Sequence, residues 1–232
     1  MKLPHDLQLF STAQFPCAYL EGNVARNTVI DPDFDMTSPL YSELINTGFR
    51  RSGNQIYRPQ CLPCKECIST RIPVNQFRFS KSQRRNFKKN SDLNIVINTG
   101  HYKSDYQALY HEYLQSRHDS SDSANVQEFF EAKWCQVHYV EFHDQAELIG
   151  VAVIDILDDE ISAVYTFYSP KQGAQRGLGV FALLWQIEYA KSINKHYVYP
   201  GYWIEYCDKM NYKSNFRPLE GYFDGIWSPI RR

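Results

Sequence analysis

The sequence predicts an α+β fold, in which a mixed sheet with helices follows a smaller, cysteine-containing N-terminal region. Three strand patterns run in succession between residues 137 and 168, and only short polar turns separate them, so they form antiparallel hairpins. A long helical pattern then covers residues 177–193. A parallel doubly wound sheet would need a crossover helix between successive strands, so this order favours a mixed α+β domain. We divide the chain into residues 1–92 and 93–232.

The remaining elements are bounded by start and stop signals. Thr37 and Pro39 begin a helix that Gly48 ends, and Ser80 with Gln83 has the spacing of a capping box. The predicted elements, in order, are a helix at 39–48, strands at 55–58 and 69–74, a helix at 80–90, a strand at 93–99, helices at 106–114 and 125–134, strands at 137–142, 148–157 and 161–168, a helix at 177–193, a strand at 197–199, a helix at 208–216 and a strand at 221–227.

Composition and charge exclude several classes of protein. Hydrophobic residues make up 43% of the 232 residues and aromatic residues 15%, which excludes a disordered chain. No apolar run approaches the roughly 20 residues that span a membrane, and residues 1–6 lack the apolar core of a signal peptide. We therefore expect a cytoplasmic protein that does not associate with a membrane.

The net charge of −1 conceals two blocks of opposite charge. Residues 68–91 contain seven basic side chains and no acidic one, whereas residues 119–160 contain eleven acidic side chains and one basic. Four of the basic side chains lie on the helix at 80–90 in pairs spaced by four residues, so they form a solvated basic ridge: Arg84, Arg85, Lys88 and Lys89. This basic ridge predicts an anion-binding surface.

A tight cysteine pattern indicates a candidate metal site. Cys61, Cys64 and Cys67 are each separated by two residues, and Cys17 supplies a fourth thiol. Such a set can hold zinc or an iron–sulfur cluster. The alternative is a packed loop of reduced thiols, since a disulfide is not expected in a cytoplasmic chain.

Two further segments have the composition of anion sites. Gly177 and Gly179 precede the long helix, where acetyl-CoA-dependent acetyltransferases bind pyrophosphate, but Ala174 occupies the position of their basic or amide residue. An ordinary strand-to-helix turn is the alternative. Lys209, Lys213 and Arg217 are spaced by four and predict one basic face, which either is solvated or forms a nucleotide floor with neighbouring aromatic residues.

Several distinctive blocks, in one order, carry a resemblance to a known family. The blocks are residues 17–20 (CAYL), 48–53 (GFRRSG), 57–59 (YRP), 61–67 (CLPCKEC), 82–85 (SQRR), 163–168 (AVYTFY), 201–204 (GYWI) and 210–219 (MNYKSNFRPL). Together they resemble the arginyl-tRNA–protein transferase family, and within it the short bacterial aspartate/glutamate leucyltransferase branch. The resemblance extends over residues 15–227.

The resemblance implies an acetyltransferase-like (GNAT) domain at residues 93–232 and an aminoacyltransferase activity. Members of this branch move leucine from Leu-tRNA to the N-terminal amine of proteins that begin with Asp or Glu. The product is marked for degradation, so the downstream N-degron recognition machinery is an expected partner. The aminoacyl ester is already activated, and the chemistry therefore requires no cofactor.

Residue roles follow as expectations from this activity. The basic ridge would bind tRNA. A Tyr hydroxyl, or a backbone N–H near it, would stabilise the oxyanion, and the candidates are Tyr165, Tyr168 and Tyr202. A cation must face the acidic side chain of the acceptor.

For that cation we favour Arg217, with Lys213 and Lys209 as further substrate-binding candidates. The alternative is that Arg217 pairs internally with Glu220 or Asp155. Two other functions stay open at this stage: a CoA-dependent N-acetyltransferase, and a non-enzymatic RNA-binding module stapled by a metal.

Overall fold

The structure is a computed structural model that describes Pro4 and residues 6–117 and 126–231. In this part of the chain no helix is long and apolar enough to cross a membrane. Two predictions involve residues outside this part of the chain. The segment without the apolar core of a signal peptide includes residues 1–3 and 5, and one helix is predicted to begin at Asn125.

The described residues form the following elements. The strands are β1 (Leu9–Ser11), β2 (Phe15–Pro16), β3 (Val24–Ala25), β4 (Asn27–Ile30), β5 (Arg50–Ser52), β6 (Gln55–Pro59), β7 (Ile68–Pro73), β8 (Asn94–Thr99), β9 (Gln136–Asp144), β10 (Glu147–Ile156), β11 (Glu160–Tyr168), β12 (Tyr197–Trp203), β13 (Glu220–Phe223) and β14 (Ile226–Pro229). The helices are α1 (Ser38–Ile45), α2 (Lys81–Lys89), α3 (Ser104–Arg117), α4 (Val126–Phe130), α5 (Pro170–Arg176), α6 (Leu178–Ser192), α7 (Asp208–Asn211) and a 3₁₀ helix (Tyr212–Asn215).

The large sheet has the order β14-β13-β7-β12-β11-β10-β9-β8. Each pair of neighbours is antiparallel except β11 and β12, which are parallel, so the predicted mixed sheet with its meander of β9, β10 and β11 is confirmed. Side chains alternate between the two faces of a strand. Along β10, Ala152 and Ile154 pack in the cluster around α6, whereas Val151 and Val153 pack in the cluster around α3 and α4.

A smaller sheet, β1-β4-β6-β5, packs with α1 at one end of the large sheet. Its core contains Tyr41, Leu44 and Ile56, and it reaches Leu157 and Tyr199 of the large sheet. The N-cap side chain of Thr37 accepts a hydrogen bond from the N–H of Leu40, as the sequence predicts.

The large sheet crosses the division proposed at residue 92. Strand β7 precedes residue 92 and yet lies between β12 and β13, and α2 packs against α6 through the rings of Phe87 and Phe181, 5.4 Å apart. The boundary itself stays a prediction.

Three predicted elements need correction, and one helix of the structure was not predicted. The segment 221–227 is two strands joined by a tight turn at Asp224 and Gly225, both of which have positive φ, a combination typical of a two-residue hairpin turn. Helix α5, which precedes the long helix, is absent from the predicted elements. The helix predicted at 208–216 is one α-turn followed by a 3₁₀ turn, and α4 ends at Phe130, before the predicted end at 134.

Candidate active site

Strands β11 and β12 separate from one another halfway along their length. Their pairing is limited to Glu160–Ser162 of β11 and Tyr197–Tyr199 of β12. Beyond this point β11 continues to pair with β10, whereas β12 bulges between Val198 and Gly201 and pairs with β7. Gly201 has φ +96°, a conformation that side chains rarely adopt. The strands therefore diverge within the sheet beyond this point, and we call the region between them the splay.

Arg50 of β5 bridges the two strands where they separate. Its Nη2 donates to the carbonyl oxygen of Tyr199 at 2.7 Å and to that of Ala163 at 3.2 Å. Only 5% of the residue is exposed. Its Nη1 is buried and has no hydrogen-bond partner among the described residues. Sequence reasoning did not select this arginine, because its position follows from contacts with residues more than a hundred positions away.

Lys213 is a second buried cation beside the splay. Its Nζ donates to the carbonyl oxygen of Tyr202 at 2.8 Å, and 4% of the residue is exposed. Burial lowers the pKa of Lys213 to about 7, and the nearby charge of Arg50 contributes to this shift. The amine is therefore poised between its charged and neutral forms near neutral pH.

The predicted single basic face is wrong. Lys213 points into the protein because the chain there forms a 3₁₀ turn, whereas Lys209 and Arg217 are exposed. The Nε of Arg217 donates to the carbonyl oxygen of Ser214 at 3.3 Å.

The internal partners suggested for Arg217 are also wrong. Glu220 pairs with Arg71, with an Nε–Oε2 distance of 2.6 Å, and Asp155 pairs with Arg51. Arg217 remains an exposed cation, so its predicted contact with the acceptor stays a prediction.

Beyond the point of separation, aromatic side chains of β11 contact rings of α3 and α4. The ring of Tyr165 lies 5.6 Å from those of Tyr110 and Phe129, and the ring of Tyr168 lies 5.1 Å from that of Tyr113. Burial raises the pKa of Tyr165, so its hydroxyl stays protonated. These rings offer an apolar surface, and the hydroxyl of Tyr165 is a hydrogen-bond donor on it.

The three tyrosines predicted to be catalytic occupy different environments. Tyr165 and Tyr168 lie on β11 beyond the point of separation. Tyr202 is buried, and its hydroxyl donates to the carbonyl oxygen of Gly48 at 3.0 Å. This bond favours a role for Tyr202 in holding the small sheet against the large one, while catalytic roles for all three stay predictions.

The basic ridge is exposed on α2, whose capping box is confirmed. The side chains of Ser80 and Gln83 each accept a hydrogen bond from the other's backbone N–H. The four cations of the basic ridge are solvent-exposed, although Lys89 also donates to the carbonyl oxygen of Gln175. The placement suits contact with an extended polyanion.

The opposite side of α2 covers the glycine-containing segment before the long helix. Asn86 donates to the carbonyl oxygens of Arg176 and Gly177 at 3.0 and 3.2 Å, and Asn90 donates to that of Arg176 at 3.0 Å. A Cβ at Gly177 would lie 2.7 Å from Asn86 Nδ2. The segment is therefore helical and covered by protein, unlike an open pyrophosphate loop.

The cysteine cluster is the metal site that the sequence suggests. Burial raises the pKa of the Cys67 thiol to about 12, and the nearby thiols of Cys61, Cys17 and Cys64 add to this shift. Nevertheless, no group of three or more His, Cys, Asp or Glu side chains within the described residues has an arrangement that could hold a metal ion. In this structure the described thiols are not grouped as a metal site, so we derive no chemical step through a metal, and metal binding by the four cysteines stays a prediction.

Comparison with known proteins identifies the family. Models of the N terminus and the C terminus of arginine-tRNA-protein transferase match residues 15–85 and 105–223. The chain belongs to this family. The resemblance seen in the sequence is thus confirmed.

Two similar relatives are both named aspartate/glutamate leucyltransferase. One, from Alkalilimnicola ehrlichii, is 42% identical over 230 residues, which cover 97% of this chain and 96% of the relative. The other, from Saccharophagus degradans, is 41% identical over 229 residues, which cover 96% and 97% of the two chains.

Two solved structures are similar at a lower level. L-PGS from Bacillus licheniformis has a TM-score of 0.47 and 13% identity, and the match covers 70% of this chain and 48% of that one. The C-terminal DUF2156 domain of a putative lysylphosphatidylglycerol synthetase from Agrobacterium fabrum has a TM-score of 0.48 and 10% identity, with coverage of 72% and 52%.

Proposed function

We propose that this protein moves leucine from Leu-tRNA to the α-amine of proteins that begin with Asp or Glu, and thereby marks them for degradation through the N-degron pathway. One observation carries this function: family models match both parts of the chain, and relatives named aspartate/glutamate leucyltransferase align over nearly its whole length. The use of an aminoacyl-tRNA implies a cytoplasmic reaction, with the N-degron recognition machinery acting on the product.

The reaction needs positioning more than activation. The amine nitrogen attacks the ester carbonyl carbon, a tetrahedral oxyanion forms, and the bond to the tRNA ribose oxygen breaks as that oxygen gains the proton lost by the amine. An α-amine has a pKa of about 7.7–8.0, so a fair fraction is neutral near pH 7. Holding the two substrates together supplies several kcal/mol of the rate enhancement.

The splay is our candidate for the place where the two substrates meet. Its aromatic walls suit the apolar leucyl side chain and the terminal base of the tRNA. Tyr165 and Tyr168 are candidates for stabilising the oxyanion. Burial raises the pKa of Tyr165 and so keeps its phenol in the hydrogen-bond-donating form. The basic ridge on α2 would contact tRNA phosphates.

The acetyltransferase-like (GNAT) assignment of residues 93–232 belongs to this proposal. A meander, a long helix and then a parallel strand that diverges from the meander support it. The CoA-dependent alternative is less well supported, because side chains of α2 cover the segment that would bind pyrophosphate. The alternative of an RNA-binding module without activity leaves the aromatic cleft unexplained.

Zinc or an iron–sulfur cluster at the four cysteines stays a separate proposal that the reaction does not require. Stoichiometric metal in anaerobically purified protein, lost in a Cys64→Ser variant, would support it. Metal-free protein with full transfer activity would leave a packed cysteine loop.

The function is tested by incubating purified protein with radiolabelled Leu-tRNA and a peptide that begins with Asp. We expect transfer of label to the peptide α-amine, no transfer to the same peptide with an acetylated amine, and no use of acetyl-CoA. Saturable acetylation without tRNA would replace the proposal with the CoA-dependent alternative.

A further inference from the structure

We propose that Arg50 and Lys213 together bind the side-chain carboxylate of the acceptor's N-terminal Asp or Glu, and so select acidic acceptors. This inference rests on the proposed function and assigns its specificity to a buried cation pair, in place of the exposed Arg217.

Arg50 and Lys213 are buried cations without a balancing charge among the described residues. Among the described residues, no carboxylate forms an ion pair with Arg50 or Lys213, although both are at least 95% buried. Buried charges are costly unless a counter-charge accompanies them. Both groups donate to backbone carbonyl oxygens, which supply partial charge only. An acidic ligand would supply the full negative charge.

Arg50 also carries a hydrogen-bond donor that no described residue uses. Arg50 Nη1 is buried without an acceptor among the described residues, while Nη2 of the same fork is held by Ala163 and Tyr199. A guanidinium anchored through one nitrogen, with the other unsatisfied, is prepared to receive an anion. Two bonds to backbone carbonyls fix the fork, so little conformational entropy is lost when a ligand binds.

Arg50 also lies where we propose that the two substrates meet. Arg50 binds to both strands at their point of separation, which is the closed end of the splay. In Asp or Glu, only Cα and one or two methylene groups separate the carboxylate from the α-amine. A carboxylate held at Arg50 therefore keeps the reacting amine within the same cleft as Tyr165. A tRNA phosphate is the competing anion, and the test separates it from a carboxylate.

The test compares Leu transfer to matched peptides that begin with Asp or Asn, using wild type, Arg50→Lys, Lys213→Met and Arg217→Gln. The readout is the ratio of kcat/KM for Asp to that for Asn. We expect Arg50→Lys and Lys213→Met to lower this ratio by about 10- to 100-fold, the value of one or two charge-assisted hydrogen bonds. Arg217→Gln is expected to keep it. Leu-tRNA binding should be unchanged in all three variants.

A purely structural role for the pair would lower transfer to both peptides in proportion and preserve the ratio, and that result overturns the inference. An unchanged ratio together with weaker Leu-tRNA binding also overturns it, and assigns the site to a phosphate. A lowered ratio in Arg217→Gln alone returns selection to the exposed cation. Wild type that transfers leucine to no peptide would overturn the proposed function first, which is distinguishable from all of these results.

Discussion

Arg50 and Arg51 are neighbours on one strand and both are buried, yet among the described residues only Arg51 has a carboxylate partner. Arg51 faces Asp155, with an Nε–Oδ2 distance of 2.8 Å, and its Nη2 also donates to the carbonyl oxygen of Phe130 at 2.9 Å. Both side chains of this pair are fully buried. Arg50, on the opposite face of β5, donates to backbone carbonyls and keeps a donor without a partner among the described residues.

The difference separates a structural charge from a charge available to a ligand. Successive side chains of a strand point to opposite faces, so β5 presents one arginine to the junction with β10 and α4, and the other to the splay. The protein closes the first site with its own carboxylate. The second can be closed by a carboxylate that arrives with the substrate.

The largest expected effect is a loss of stability when the Arg51–Asp155 ion pair is disrupted. Asp155→Asn leaves the guanidinium of Arg51 buried without its counter-charge, and this should lower the free energy of unfolding by about 3–5 kcal/mol. Urea denaturation measures it. Arg50→Lys is the matched variant, with an expected loss of about 1 kcal/mol, because no internal carboxylate loses its partner. Equal losses in the two variants would abolish the distinction.

A pH series tests whether the charge of Lys213, beside Arg50, contributes to the selection of acidic acceptors. Burial and the charge of Arg50 lower the pKa of Lys213 to about 7, and Cys207 offsets part of this shift. Lys213 is therefore mostly protonated below pH 7 and mostly neutral above it. Since a carboxylate needs the charged form, the Asp:Asn preference should fall up to about tenfold between pH 6.5 and pH 8.5. The α-amine titrates in both peptides and largely cancels.

Lys213→Arg, which holds its charge across this range, should give a flat profile. Burial also raises the pKa of Glu160 to about 7, so Glu160→Gln is the control and should keep the wild-type profile. A profile that is flat in wild type would remove Lys213 from the site.

The basic ridge provides a third environment, where cations are exposed. Arg85→Ala with Lys89→Ala should weaken tRNA binding and reduce the slope of log K against log salt by about one unit for each phosphate that the variant no longer neutralises. Filter binding at several salt concentrations measures this slope. Lys133→Ala, at an exposed lysine outside α2, should leave the slope unchanged, and an unchanged slope in the double variant would move the tRNA surface elsewhere.

The smallest effect is expected at a partly exposed ion pair. Arg71 and Glu220 join β7 to β13, and their side chains are 14% and 22% exposed. Glu220→Gln should lower stability by about 1 kcal/mol or less, because solvent screens such a pair. Thermal unfolding of Glu220→Gln and Asp155→Asn, measured side by side, tests this contrast. An equal loss of stability in the two variants would show that burial does not determine what each ion pair contributes.

Local signals in the sequence predict the elements that depend on local chemistry. The capping box at Ser80 and Gln83 and the three strands of the meander occur as expected. The hairpin at Asp224-Gly225 also has a recognisable local signal, although a single strand is predicted there. The place of Arg50 has none, since its partners Ala163 and Tyr199 lie 113 and 149 positions away. Spacing by four likewise fails at Lys213, because an α-helical period does not apply to a 3₁₀ turn.

The position of β7 has a consequence for how the chain reaches this structure. A strand made early in synthesis must wait for β12 and β13, more than a hundred residues later, before both of its edges are paired. Loop closure over such distances slows folding. Separately produced fragments 1–92 and 93–232 should therefore stay poorly folded alone and recover transfer activity when mixed, because each lacks strands that the other supplies.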